Sequence, residues 1–385
     1  MNIYQDYQDE LDRLSEQGNL RSLPHAVYQG KWVVRDGRKM CNLSSNDYLG
    51  LAADVSLRDE FLNMVEVEEL LFSASSSRLL TGNFSVYDTL EDELAALYGA
   101  GAALVVGSGY HLNTGVLPAV ADAQTLILAD KLVHASLIDG IRLSAARCIR
   151  YRHQDMEQLE MLLQKYHAAY SRIILVTESV FSMDGDVTDL SCLVAMKKRY
   201  PQVMLYVDEA HGVGVYGECG LGIAEEQGCI REIDFLCGTL GKALASVGAF
   251  VICSKVMKDY LVNRMRTLIF TTALPPVNIS WTLFVVRRLS EWKSRRQHLY
   301  RLSEKLRHAI IQSGKSCDSD SHIVPFTLGT SELAIEKAMN MQHKGFYVLP
   351  VRPPTVPEGT SRLRFSLTAA LSEPEVDALI QALLQ

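Results

Sequence analysis

Lys242 closes the run Phe235-Leu236-Cys237-Gly238-Thr239-Leu240-Gly241-Lys242, an apolar segment ending in a glycine-flanked turn. A primary amine condenses with an aldehyde, and close neighbours plus partial burial lower its pKa so that the free amine can act as nucleophile and base. The flanking glycines let the backbone approach a planar ring. In Leu205-Tyr206-Val207-Asp208-Glu209-Ala210-His211-Gly212 an acid and a histidine stand three residues apart where another apolar strand ends. A buried carboxylate there needs a cationic partner, which a protonated pyridine nitrogen would supply. Taken alone, Lys242 reads better as a surface lysine in a turn and Asp208 equally well as a helix N-cap; with His211 they suggest a site for a ring-bearing aldehyde.

Two further segments suit a phosphorylated aromatic group. Gly107-Ser108-Gly109-Tyr110-His111 follows an apolar strand and opens a helix, where free N–H groups and the positive dipole end attract phosphate. His134, in Asp130-Lys131-Leu132-Val133-His134-Ala135-Ser136, stands just past another strand, where an imidazole can stack on a ring or serve structure alone. Gly212-x-Gly214-x-x-Gly217 spells the dinucleotide fingerprint, but Asp208 and Glu209 stand directly before it and would repel a pyrophosphate, so that reading is set aside.

These residues need strands to carry them. Apolar runs at 102–106, 125–129, 172–177, 203–208, 235–237 and 249–253 alternate with helical stretches, the pattern of an α/β sheet covered on both faces, whose ligands bind at the strands' carboxyl ends. An amphipathic helix is expected over residues 4–17, with Tyr4, Tyr7, Leu11 and Leu14 on one face, and a hairpin turning through Asp36-Gly37. Residues 1–45 thus form an N-terminal arm, 46–280 a large domain, and 281–385 a smaller α+β domain that opens with a helical stretch over 281–314. The last helix, 373–384, is expected to be capped by Ser372 with Pro374 in its first turn.

The 385 residues allow a core large enough to shield a site, and a net charge of −7 without basic runs argues against nucleic acid or an anionic membrane as partner. The eight cysteines show no CxxC pair and no Cys/His cluster at metal-ligand spacing, so reduced thiols and no metal are expected. The polar, acidic first residues and the lack of a long uncharged apolar run suggest a cytoplasmic protein acting on small molecules.

With these motifs in order, and with Ser44-Ser45-Asn46-Asp47-Tyr48-Leu49-Gly50 and Thr177-Glu178-Ser179-Val180-Phe181-Ser182-Met183-Asp184-Gly185, the chain resembles the α-oxoamine synthases from about Leu20 onward. These are fold-type I pyridoxal 5′-phosphate enzymes that condense an amino acid with an acyl thioester and release CO2. The resemblance implies an aspartate-aminotransferase-like fold with a mostly parallel, seven-stranded sheet, and a homodimer with shared active sites. It implies that Lys242 carries the cofactor as a Schiff base, that Asp208 pairs with the ring nitrogen, that His211 bonds the ring hydroxyl and that His134 stacks on the ring. Gly109, Tyr110, Ser182 and Thr239 would lie beside the cofactor, Glu178 and Asn46 would be further site positions, and Thr271 and Thr272 would reach the neighbouring subunit's phosphate.

The segment from Val351 to Arg364 is similar to the branch that joins L-alanine to a pimeloyl thioester, on coenzyme A or a carrier protein, giving 8-amino-7-oxononanoate for biotin synthesis. Arg352 is the candidate for the amino-acid carboxylate, because a guanidinium matches it bidentately. Arg21 and Thr355 resemble substrate-contacting positions. The loop Ser73-Ala74-Ser75-Ser76-Ser77-Arg78 has small hydroxyl residues where many relatives have glycine, which keeps open a sister synthase using glycine or serine with another acyl-CoA.

Overall fold

A computed structural model describes residues 3–385. The chain divides into two compact units, the larger of Asp54–Ser182 and Val187–Gln297, the smaller of the chain up to Ala53, Met183–Asp186 and His298–Gln385. The larger unit is built on seven strands: β1 (Ala102–Val106), β2 (Thr125–Asp130), β3 (Arg147–Tyr151), β4 (Arg172–Glu178), β5 (Val203–Asp208), β6 (Phe235–Thr239) and β7 (Ala249–Cys253). They lie in the order β1-β7-β6-β5-β4-β2-β3. β7 runs antiparallel to both neighbours and the remaining pairs are parallel.

β1, β2, β4 and β5 are almost wholly buried, as their unbroken apolar runs require. β3 was not expected. Its sequence Arg-Cys-Ile-Arg-Tyr is partly exposed because it lies at the sheet's edge, where a strand need not be apolar. Helix α1 (Gly109–Val120) packs Leu112, Val116 and Leu117 into the apolar cluster that includes Ile127, Ile174 and Phe235. Ser108 caps α1 by accepting the His111 N–H, and helix α2 (Ala135–Leu143) follows β2.

In the smaller unit the hairpin Trp32–Arg35 and Arg38–Asn42 gains Phe346–Tyr347 as a parallel neighbour, Phe346 facing Cys41. The N-terminal residues therefore share a sheet with the C-terminal part, and the last segment of the larger unit ends at Gln297. A pairing over such a sequence distance leaves no local signal. The expected helix is present as Gln5–Glu16 with no buried residue, so Tyr7 and Leu11 stay exposed. The helical stretch after Pro275 is broken, Pro276–Val286 and Lys293–Gln312 flanking a short 3-10 turn in which Leu289 and Trp292 are buried. The last helix, Glu373–Leu384, carries a full capping box between Ser372 and Glu375.

Candidate active site

The parallel register places Glu178 beside Asp208, and Asp208 beside Cys237, at the carboxyl end of the sheet. Lys242 stands three residues beyond the β6 end in a turn that returns as β7, with Thr239 facing Ala249 across the ladder. The turn is firmly tied: Leu240 N–H donates to Gly248 O and Ser246 N–H to Leu240 O, both at 2.9 Å. Trp281 Nε1 reaches Ala245 O at 2.9 Å, fastening the turn to the helix Pro276–Val286.

Half-buried Lys242 sets its Nζ 2.8 Å from Nε2 of buried His211. Asp208 is buried, with Oδ1 accepting the Ala210 N–H at 2.9 Å and Oδ2 the Asn113 amide at 2.8 Å. Among the described residues no arginine, lysine or histidine forms an ion pair with it. Glu178 is buried beside Asp208 and accepts the His134 backbone N–H at 2.5 Å. Burial, reinforced by the Asp208 charge, pushes its carboxyl well above the usual range, so it favours the neutral form. His134 caps α2, its Nδ1 2.8 Å from Ser136 Oγ, and desolvation lowers the ring's pKa against the attraction of Asp208.

The other expected positions make contacts of their own within each unit. Thr239 Oγ1 donates to Gly248 O at 3.3 Å. Tyr110 is exposed and bonds Asp139 at 2.8 Å, and the space where Gly109 would carry a Cβ is open. Ser182 is half-buried at the end of a segment of the larger unit. Thr271 and Thr272 follow the short helix Arg266–Ile269, Thr272 exposed, and neither bonds to the cluster. In the smaller unit Arg21 Nη2 donates to Thr355 Oγ1 at 3.0 Å, and Arg352 donates to Gly18 O. Asn46 Oδ1 accepts the Tyr48 hydroxyl at 2.9 Å. The loop at 73–78 is anchored by Arg78, which bonds buried Glu91 at 2.5 Å, and Ala273 N–H bonds Ser76 O.

Asn113 escaped the sequence reading. It is buried in α1, gives one amide hydrogen to Asp208 and one to Ser136 Oγ, and accepts the Tyr206 hydroxyl at 2.7 Å. The available signal was an amide inside the apolar run Leu112-Asn113-Thr114-Gly115-Val116-Leu117, since a buried polar group demands partners.

The match to the family described as aminotransferase class I and II spans residues 38–383, taking in every residue of the Lys242 cluster. The chain belongs to this family. It is 53% identical over 384 residues to a Haemophilus ducreyi protein named 8-amino-7-oxononanoate synthase, covering 98% of this chain and 99% of that one. A serine palmitoyltransferase from S. paucimobilis, solved with a bound PLP-myriocin aldimine, superposes with a TM-score of 0.89 at 26% identity, covering 100% of this chain and 98% of that one. An 8-amino-7-oxononanoate synthase from Francisella tularensis gives a TM-score of 0.76 at 27% identity over 90% of this chain and 97% of that one. The family's aspartate-aminotransferase-like α/β fold is thus the one expected from sequence, seven-stranded and mostly parallel.

Proposed function

We propose that this chain condenses L-alanine with a pimeloyl thioester, releasing CO2 and the free thiol, to form 8-amino-7-oxononanoate in biotin biosynthesis. Pyridoxal 5′-phosphate is the cofactor of this acyltransferase. The observation that carries the substrate choice is the 53% identity to the Haemophilus ducreyi synthase along nearly the whole chain, against 26% to the serine palmitoyltransferase.

The residues fit the cofactor. Asp208 is a buried carboxylate that, among the described residues, forms no ion pair, a place a protonated ring nitrogen would take, and Lys242 offers an amine held at the same edge of the sheet. In this reading Lys242 and Asp208 hold the group, with His211 at its hydroxyl, His134 against its face, and Gly109, Tyr110, Glu178, Ser182 and Thr239 around it. When bound, the group supplies an electron-withdrawing ring that stabilises negative charge at the amino acid's α-carbon. Lys242 Nζ, freed once the substrate's amine takes its place, accepts the α-proton, and the α-carbon then bonds the thioester carbonyl carbon as the thiolate leaves. CO2 departs from the alanine carboxylate, and Lys242 returns a proton to the carbon. Exclusion of water keeps the carbanion from being quenched early.

The same reading gives Arg352 the amino-acid carboxylate and makes Arg21, Asn46 and Thr355 substrate contacts. It assembles the enzyme as a cytoplasmic homodimer in which Thr271 and Thr272 serve the partner's phosphate. The closer superposition on serine palmitoyltransferase, 0.89 against 0.76, favours as second reading a sister synthase using glycine or serine with another acyl-CoA. Assay of alanine, glycine and serine, each with pimeloyl-CoA, pimeloyl carrier protein, acetyl-CoA, succinyl-CoA and palmitoyl-CoA, decides. Turnover confined to alanine with a pimeloyl donor supports the proposal; preference for another pair overturns it.

A further inference from the structure

The hydrogen bonds around Asn113 fix a proton on a different side chain. Its amide nitrogen carries two hydrogens and has two acceptors at bonding distance, Asp208 Oδ2 at 2.8 Å and Ser136 Oγ at 2.9 Å. Turning the amide over would set its oxygen against the Asp208 carboxylate, and an ionised carboxylate can only accept. One orientation is left, with the Tyr206 hydroxyl donating to the amide oxygen. Ser136 Oγ, already accepting from Asn113, keeps its own hydrogen, and His134 Nδ1 lies 2.8 Å away. The Ser136 backbone N–H points at the same nitrogen from 3.2 Å. A ring nitrogen that faces two donors needs its lone pair.

We infer that His134 is held as the neutral imidazole with its proton on Nε2, and that Asn113 and Ser136 are the positioning residues that impose this tautomer. The route runs from Tyr206 on β5 through Asn113 on α1 to Ser136 and His134 at the start of α2, all on the larger unit. The charged groups facing the ring are Asp208 from β5, Lys242 from the β6–β7 turn and Asp139 from α2, while Glu178 from β4 holds the His134 backbone N–H. Desolvation and the Lys242 charge lower the ring's pKa, and the two aspartates oppose them. A neutral ring brings no positive charge to an edge where Lys242 already stands, and its Nε2–H can donate to a carboxylate or carbonyl oxygen of the substrate. That donor role rests on the proposed reaction; the tautomer does not.

The full-length protein, labelled with 15N-histidine, tests the assignment by the ring nitrogen shifts of His134, identified by loss of signal in His134→Gln. Spectra are taken both with pyridoxal phosphate bound and after its removal. The expected result is an unprotonated Nδ1 and a protonated Nε2 from pH 8 to pH 6 in both forms. Ser136→Ala, which keeps the backbone donor, should cut the tautomer preference by about tenfold, the worth of one hydrogen bond, and raise the ring's pKa, shifting the acid limb of kcat/KM with it. Ser136→Thr should restore both, and Asn113→Ala, which removes the donor that orients the Ser136 hydroxyl, should move the ratio in the same direction as Ser136→Ala. A proton on Nδ1 in the unaltered protein, or a ratio untouched by Ser136→Ala, overturns the inference. Loss of the proposed reaction in the substrate assay leaves the shifts unchanged, so the two failures are told apart.

Discussion

Asp208 and Glu209 are adjacent on the chain and both buried, at 8% and 0% exposure, but they enter opposite surroundings. Glu209 has three donors: it accepts the Ser179 hydroxyl, the Ile223 N–H at 3.2 Å and the Ala224 N–H at 2.7 Å. Gly212 and Gly222 press against it, so that a Cβ at Gly212 would overlap Oε2 and one at Gly222 would come within 2.7 Å of its carboxyl carbon. Asp208, among the described residues, accepts from the Asn113 amide and the Ala210 N–H alone, one donor to each oxygen. Of two identical functional groups, the one with three protein donors ties loops together. The one left short has capacity for a ligand.

The contrast is sharpest in turnover. Asp208→Asn should lower kcat by about 10³-fold while the melting temperature stays within a few degrees, the loss expected when a preorganised charge is removed. Glu209→Gln should change kcat less than about fivefold, and the reverse pattern would dissolve the distinction. Next in size is Glu209→Ala, which strands three buried donors and should cost about 3–5 kcal/mol by urea denaturation.

Stability against pH reads the same carboxylate. Burial pushes Glu209 up to about 7 from its ordinary 4.5, the Ser179 and backbone donors holding it lower than burial alone would. Between those values the folded chain binds more protons than the unfolded chain, so this group's contribution to stability falls as pH rises through the window, by up to about 3 kcal/mol. Denaturation at pH 4.5 and pH 7.5 should show that loss in the unaltered protein and a smaller one in Glu209→Gln. The finest comparison is between two glycines. Gly212→Ala should destabilise by about 2 kcal/mol because it collides with Glu209, whereas Gly109→Ala, facing open space, should shift stability by less than about 0.5 kcal/mol.

The strands that end at Glu178, Asp208 and Thr239 were legible because burial on both faces demands unbroken apolar runs, and the residues just beyond such runs stand where an α/β sheet binds ligands. β3 was not legible, since an edge strand can carry Arg147 and Arg150. The duty of Gly212, making room for Glu209, depends on a contact the sequence does not display. Asn113 was missed for the same reason: its partners Ser136, Tyr206 and Asp208 come from α2 and β5, far along the chain. Local patterns show what an element needs, whereas hydrogen-bond hubs are properties of the assembled sheet.

The reversal of β7 has a kinetic meaning. Because β6 and β7 are hydrogen-bonded at Thr239 and Ala249, the lysine rides on a short loop clamped at both ends and fastened again through Trp281. Its amine cannot diffuse away from whatever is bound beside Asp208. It therefore acts at an effective concentration that no dissolved amine could reach, and well-oriented intramolecular groups attain values on the order of 10⁵ M or more. Lengthening the loop by a few flexible residues would leave every functional group in place and dilute the one that moves the proton.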